Sequence, residues 1–246
     1  MANAFIFDLG AEGVPGGGLN AAMGFFAIAT VSNTKISLFQ CPSDRQMTFK
    51  INQGYAGGAL SGPTLTKGNY AVSWGNTNWG AGLGGNAGLR AVYLKSAFNH
   101  DMNIGLRNVT DGTSNTVFMG EVLQGAINDV RGVMWSSVPG GSSFMSRFTP
   151  NKFVDFYASI QNKSGGDQAP NNPGLFCVSE PGMQLPCFPG NSDSDSFAGA
   201  RSRHPGGVSV LLGDGSVRFV KDTVNAAIWI GLNSIAGGEV ISADAY

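Results

Sequence analysis

The chain has 246 residues, a formal net charge of −1, 13% Asp, Glu, Lys or Arg, and 42% hydrophobic residues. That length supports one substantial core, or one domain with a long insertion. The near-zero charge gives no electrostatic reason to expect nucleic acid or an anionic membrane as partner. The hydrophobic share excludes a disordered acidic tail, and no apolar run reaches the ~18 residues needed to cross a bilayer. Gly, at 37 residues, is used about twice as often as the ordinary share of roughly 7%. Such a chain reads as a turn-rich all-β or α+β extracellular domain whose charge-poor surface favours self-association.

Residues 4–9 read as a short strand ahead of a Gly/Pro loop. The start, MANAFIFDLGAEG, has neither the basic region nor the apolar stretch of a signal peptide. Residues 19–31 suit a helix, with Leu19, Met23, Phe26 and Ala27 at helical spacing. Residues 36–39 suit a short strand running into CPSD, where Pro42 ends regular structure and Ser43 or Asp44 bonds the backbone that follows. Residues 54–68 are loop-like, 69–74 alternate as a strand does, and 75–88 form a Gly/Asn-rich loop. Short strands are expected at 91–94, 116–121 and 132–136, with the turn VTDGTSNT between the first two. Residues 137–200 carry mostly loop signals, broken at 152–160 by a strand or helix. They read as a loop-rich insertion, or several short strands, within one domain over 1–246.

The C-terminal segment HPGGVSVLLGDGSVRFV reads as a β-hairpin. Asp214-Gly215 suits a two-residue turn with φ > 0 at both positions. With Gly213 opposite Ser216, Leu212 faces Val217 and Val210 faces Phe219, which makes one face wholly apolar. Residues 221–234 then suit a helix capped by Asp222 or Thr223 and ended by Gly237-Gly238. A short strand is expected at 239–242.

Three landmarks stand in order. They are F-x-CPSD at 39–44, DGTSNT at 111–116 followed by Gly120-Glu121, and His204 with Asp214-Gly215 after nine residues. The last continues as DGSVRFV, Trp229 and Gly237-Gly238-Glu239. In these the chain resembles the planctomycete-type prepilin-like (pseudopilin-like) proteins of unknown function that carry a C-terminal H-x9-DG motif. The resemblance implies an α+β, pilin-like head with an antiparallel sheet, a C-terminal hairpin, a short helix and long loops. It also implies a non-enzymatic structural subunit, extracellular or at the cell surface, that assembles into a homo-oligomer or filament. Members begin with a prepilin leader and a long apolar helix. MANAFIFDLG corresponds to a point beyond that helix, so the chain is expected to lack it. The competing reading is a surface module that binds glycan or a small solute on an aromatic platform of Trp74, Trp79, Tyr93 and Trp135.

The residues singled out are mainly architectural. Asp214 and Gly215 make the hairpin turn, and Asp111, Gly112, Ser114 and Glu121 organise the central turn. His204 and Asp44 tie loops to the sheet. An extended arm rises about 3.3 Å per residue, so His204 and Asp214 lie roughly 30 Å apart and cannot share a metal or substrate. Cys177 and Cys187 flank a short loop with two prolines and suit a disulfide in an oxidising compartment, two buried thiols being the alternative. Cys41 is left over and reads as a buried thiol, with no His near it in sequence. After Asp111, Glu121 falls at the wrong place for a calcium loop. Asp193 and Asp195, in NSDSDS, are candidate calcium ligands against a plain solvated loop, and the resemblance to pilin heads adds to that candidacy. With two His (His100 and His204), no G-x-S-x-G elbow, no P-loop and no Cys-x-x-Cys, no enzyme is expected. A hydrolase would need one of these His within reach of a Ser or carboxylate in a pocket.

Overall fold

The alternating segments become the middle of a mixed sheet. The structure is a computed structural model that describes residues 29–50, 64–78, 94–99, 104–127, 129–134, 139–152, 154–158, 177–190, 196–239, 241–242 and 246. The strands are β1 (Thr48–Lys50), β2 (Thr64–Thr66), β3 (Tyr70–Ser73), β4 (Val117–Glu121), β5 (Ser143–Phe144), β6 (Asp155–Ala158), β7 (Cys187–Gly190), β8 (Gly207–Leu212) and β9 (Val217–Lys221). Among the described residues two α-helices, α1 (Ala29–Asn33) and α2 (Ala226–Leu232), make the fold α+β. The main sheet has the order β5–β3–β4–β8–β9. Its pairs are antiparallel except β3–β5, which is parallel. Beside it lie an antiparallel ribbon, β1–β2, and a parallel one, β6–β7.

One face of this sheet makes the core. Val208, Val210 and Leu212 point inward from β8, as the period of two requires, and meet Val117, Phe144 and Val220. Helix α2 lays Trp229 and Leu232 on the same cluster, and the Trp229 ring stacks 6.2 Å from that of Phe144. Each such side chain contributes roughly 1.5–3 kcal/mol on burial.

The hairpin register differs from the expected one by a single residue. Leu211 faces Val217, Val210 faces Arg218, Ser209 faces Phe219 and Val208 faces Val220. The turn is longer than two residues. Gly215 N donates to Leu212 O at 3.0 Å, and Leu212 N to Ser216 O at 2.9 Å. Within it only Gly215 takes a positive φ, +88°. This is a three-residue loop with Gly in the left-handed position, which adds one residue to the expected connection. The slip sends Val217 (67% exposed) and Phe219 (45%) to the solvent side and Val220 to the core.

Other expectations are corrected too. Residues 36–39 do not form a strand; Ser37–Phe39 is a 3-10 turn, with Leu38 81% exposed and so without the burial that would hold it in a sheet. Strand β2 and Lys67 occupy part of the expected loop at 54–68, Lys67 bridging to Val133. Helix α2 starts later than expected, because Asn225 caps it by accepting from Ala227 N at 2.8 Å. Residues 239, 241 and 242 lie in no strand. The segment before them is drawn to Asp111, which accepts from Gly237 N at 2.7 Å and Gly238 N at 3.0 Å. Within 152–160 the strand is the outcome, as β6, and β5 places Ser143–Phe144 at an edge of the main sheet. The expected elements at 4–9 and most of those at 19–31 and 91–94 fall outside the described residues.

Candidate functional site

One part of each of the three sequence landmarks, Cys41 with Asp44, Glu121 and His204, meets the others at one junction. Pro42 and Ser43 turn the chain after Cys41, and Asp44 N donates to Cys41 O at 3.2 Å. This aims the Asp44 carboxylate inward, where its side chain is fully buried. Oδ2 accepts from Asn69 Nδ2 at 2.8 Å and from Gln124 N at 2.9 Å, and Oδ1 from Arg203 Nε at 3.1 Å. A buried carboxylate must be paired and hydrogen-bonded to be tolerated, and Asp44 meets that condition by joining four chain segments. Asn69 extends the lattice: its Oδ1 accepts from Cys41 N and Gln124 Nε2, both at 2.9 Å.

Above this lattice lie Cys41, Glu121 and His204. Glu121 ends β4, and its Oε2 accepts from Ser209 N of β8 at 2.7 Å. That bond leaves Oε1 facing His204 Nε2, 3.2 Å away. The Cys41 Sγ stands 3.8 Å from the same nitrogen. His204 is set by its own amide, which donates to Ser202 Oγ at 3.1 Å, while that hydroxyl donates to Gly207 O at 2.7 Å. Cys41 and Glu121 are buried, and the His204 side chain is 36% exposed. Burial, followed by the nearness of Cys41 and Glu121, raises the Tyr70 phenol above its ordinary value. A Cys–His–carboxylate relay needs the thiol and the acid on opposite ring nitrogens. Here one nitrogen faces both, so the arrangement is not a relay.

A second buried polar cluster lies on the loop side. Arg131, 1% exposed, donates from Nη2 to Asp129 Oδ2 at 2.6 Å and from Nη1 to Asp155 Oδ2 at 3.0 Å. Asp155 Oδ1 also accepts from Arg201 Nη2 at 3.0 Å. Lys67 donates from Nζ to the carbonyls of Gly125 and Ala126, each at 2.8 Å, and of Asp129 at 2.5 Å. Burial lowers Lys67 to about 7, with Asp129 pulling the other way. Burial works to raise Asp129, but the charge and hydrogen bonds of Arg131, aided by Lys67, hold it below the usual carboxylate range. Outside this group Arg45 forks onto Glu180, with Nη1 to Oε1 at 2.9 Å. That hydrogen bond lowers Glu180.

The remaining candidates separate from one another. Asp111 holds the Gly237-Gly238 amides, Gly112 takes φ +94°, and Ser114 lies exposed in the turn Thr113–Asn115. The closure of that turn falls to Thr116, whose hydroxyl donates to Gly112 O at 3.0 Å, a role no sequence pattern marks. Asp214 stands at the far end of β8 from His204, accepting from Ser216 N at 2.9 Å and Ser216 Oγ at 2.7 Å, bonds that lower its pKa. Cys177 and Cys187 form a disulfide, and Cys41 is free. Asp193, Asp195, His100, Trp79, Tyr93 and Trp135 lie outside the described residues. Of the expected aromatic platform, Trp74 is described, and it is buried.

The family SBP_bac_10, described as Protein of unknown function (DUF1559), matches residues 18–227. Neither a curated protein nor a solved structure matches the chain.

Proposed function

Because the chain belongs to the DUF1559 family, we propose that it is a non-catalytic, pilin-like structural subunit, at the cell surface or outside the cell, that assembles with copies of itself. The edge strand β9 carries this reading. Among the described residues it pairs with β8 alone and shows Val217 and Phe219 to solvent. An edge with open backbone groups and apolar side chains is a template for a further strand. The low charge of the chain leaves little repulsion to oppose a second copy. The landmark carboxylates Asp44, Asp111 and Asp214 are engaged in holding backbone and loops, which suits a scaffold. The Cys177–Cys187 disulfide supports an oxidising compartment. No described helix is long and apolar enough to cross a membrane.

Sedimentation of the full chain over a wide concentration range, with electron microscopy of the same samples, tests this. Reversible assembly or filaments are expected, and Phe219→Lys with Val217→Lys should weaken association at least tenfold. A parent chain that stays monomeric throughout, or a lysine variant that assembles unchanged, sinks the proposal.

A further inference from the structure

We infer that Cys41, Glu121 and His204 form a binding site for one divalent transition-metal ion, with zinc the ion their chemistry suits best. The three ligand atoms all lie within 4.8 Å of one another. A tetrahedral zinc with ordinary bonds of about 2.3 Å to sulfur and about 2.0–2.1 Å to nitrogen and oxygen separates its sulfur and nitrogen by about 3.6 Å, and its nitrogen and oxygen by about 3.3 Å. The observed separations are 3.8 Å for Cys41 Sγ to His204 Nε2 and 3.2 Å for His204 Nε2 to Glu121 Oε1. Two tetrahedral edges are therefore already in place. The single nitrogen that faces both thiol and carboxylate, unsuited to a relay, is what convergence on a central cation requires.

The supporting contacts fit the same reading. Metal-binding side chains are commonly fixed from behind. Ser209 N holds the far oxygen of Glu121, the Asn69 amide holds the Cys41 backbone, and Ser202 holds that of His204. Thiolate, imidazole and carboxylate together select a borderline ion such as zinc over calcium or magnesium, which prefer all-oxygen sites. Binding would release the thiol proton of Cys41 and leave it coordinated as thiolate. It would also explain how a lone thiol persists in a chain whose other two cysteines are joined. The 36% exposure of His204 leaves a path to solvent, so the fourth position falls to water.

The test uses the full chain, stripped with a chelator and then freed of it. Calorimetry should show one zinc bound per chain, and cobalt(II) should give a thiolate-to-metal charge-transfer band in the near ultraviolet. Cys41→Ser should abolish that band, and His204→Asn should weaken zinc binding at least tenfold. Asp193→Asn with Asp195→Asn should change neither. His204→Asn alters a side chain at the surface, so it carries the test even if Cys41→Ser does not fold, with circular dichroism as the check. Absence of the cobalt band in the parent chain, or zinc binding unchanged in His204→Asn, overturns the site.

Discussion

Around β8 and β9 the interior is hydrocarbon: Val208, Val210, Leu212 and Val220 packed against Trp229 and Leu232. Around Arg131 it is ionic: two carboxylates, two guanidiniums and the Lys67 ammonium at comparable depth. The first region gains from every apolar atom withdrawn from water. The second gains only while each charge keeps its partners, because burying ions costs several kcal/mol apiece before attraction offsets it. The two regions should thus fail differently. Truncating a hydrocarbon contact weakens the apolar side by degrees, whereas removing one ion strands its neighbours.

The largest effect is expected from Arg131→Met. It leaves Asp129 without its chief partner and Asp155 with one guanidinium, that of Arg201, beside the Gly199 amide, and should cost about 3–5 kcal/mol in a denaturant titration. A loss under 1 kcal/mol would erase the distinction between the two regions. Next comes pH. Asp129 and Glu180 are held below their ordinary values of 3.8 and 4.5. Their stabilisation is complete above those values and is lost as pH falls through the depressed folded ones. Lys67 has a folded value of about 7 against 10.5, so between these the unfolded chain binds more protons and stability rises with pH. Melting temperature should therefore climb out of the acid range and again from about pH 7 upward. Arg131→Met should flatten the acid limb, and a hairpin variant should leave it unchanged. The smallest effect is expected from Gly215→Val. A Cβ there meets no atom within 4 Å, so the main cost is the left-handed backbone, about 1–2 kcal/mol. An unchanged melting curve would count against the turn geometry.

The apolar region was largely legible in the sequence, since period-two alternation announces β3, β8 and β9, and 116–121 reads as a short strand. It misled by one residue at the turn, because the same Asp-Gly pair serves two-residue and bulged three-residue loops, and only the second leaves Asp214 right-handed. The site was legible in its parts and not in its assembly. Cys41 and His204 are 163 positions apart, and no periodicity signals that a CPSD turn and the entry to β8 converge on the end of β4. Arg131, Asp129, Asp155 and Lys67 were passed over altogether. An Arg on a loop looks solvated until the fold closes over it, and its partners carry no spacing rule. The one available hint was scarcity: in a chain with so few charges, each is more apt to be engaged.

The two regions also differ in how far apart their parts begin along the chain, which has a kinetic consequence. The β8–β9 hairpin closes between neighbours such as Leu211 and Val217, on a microsecond scale for such elements. The Arg131 cluster must gather Lys67, Asp129, Asp155 and Arg201 across separations of 62, 24 and 46 residues, and such non-local closure is slow. When the complete chain refolds from denaturant, the hairpin is therefore expected to form, with Phe219 outward, while the charged loops are still open. In that interval the open edge of β9 stands unguarded by the rest of the fold, so off-pathway association during refolding is expected to start there.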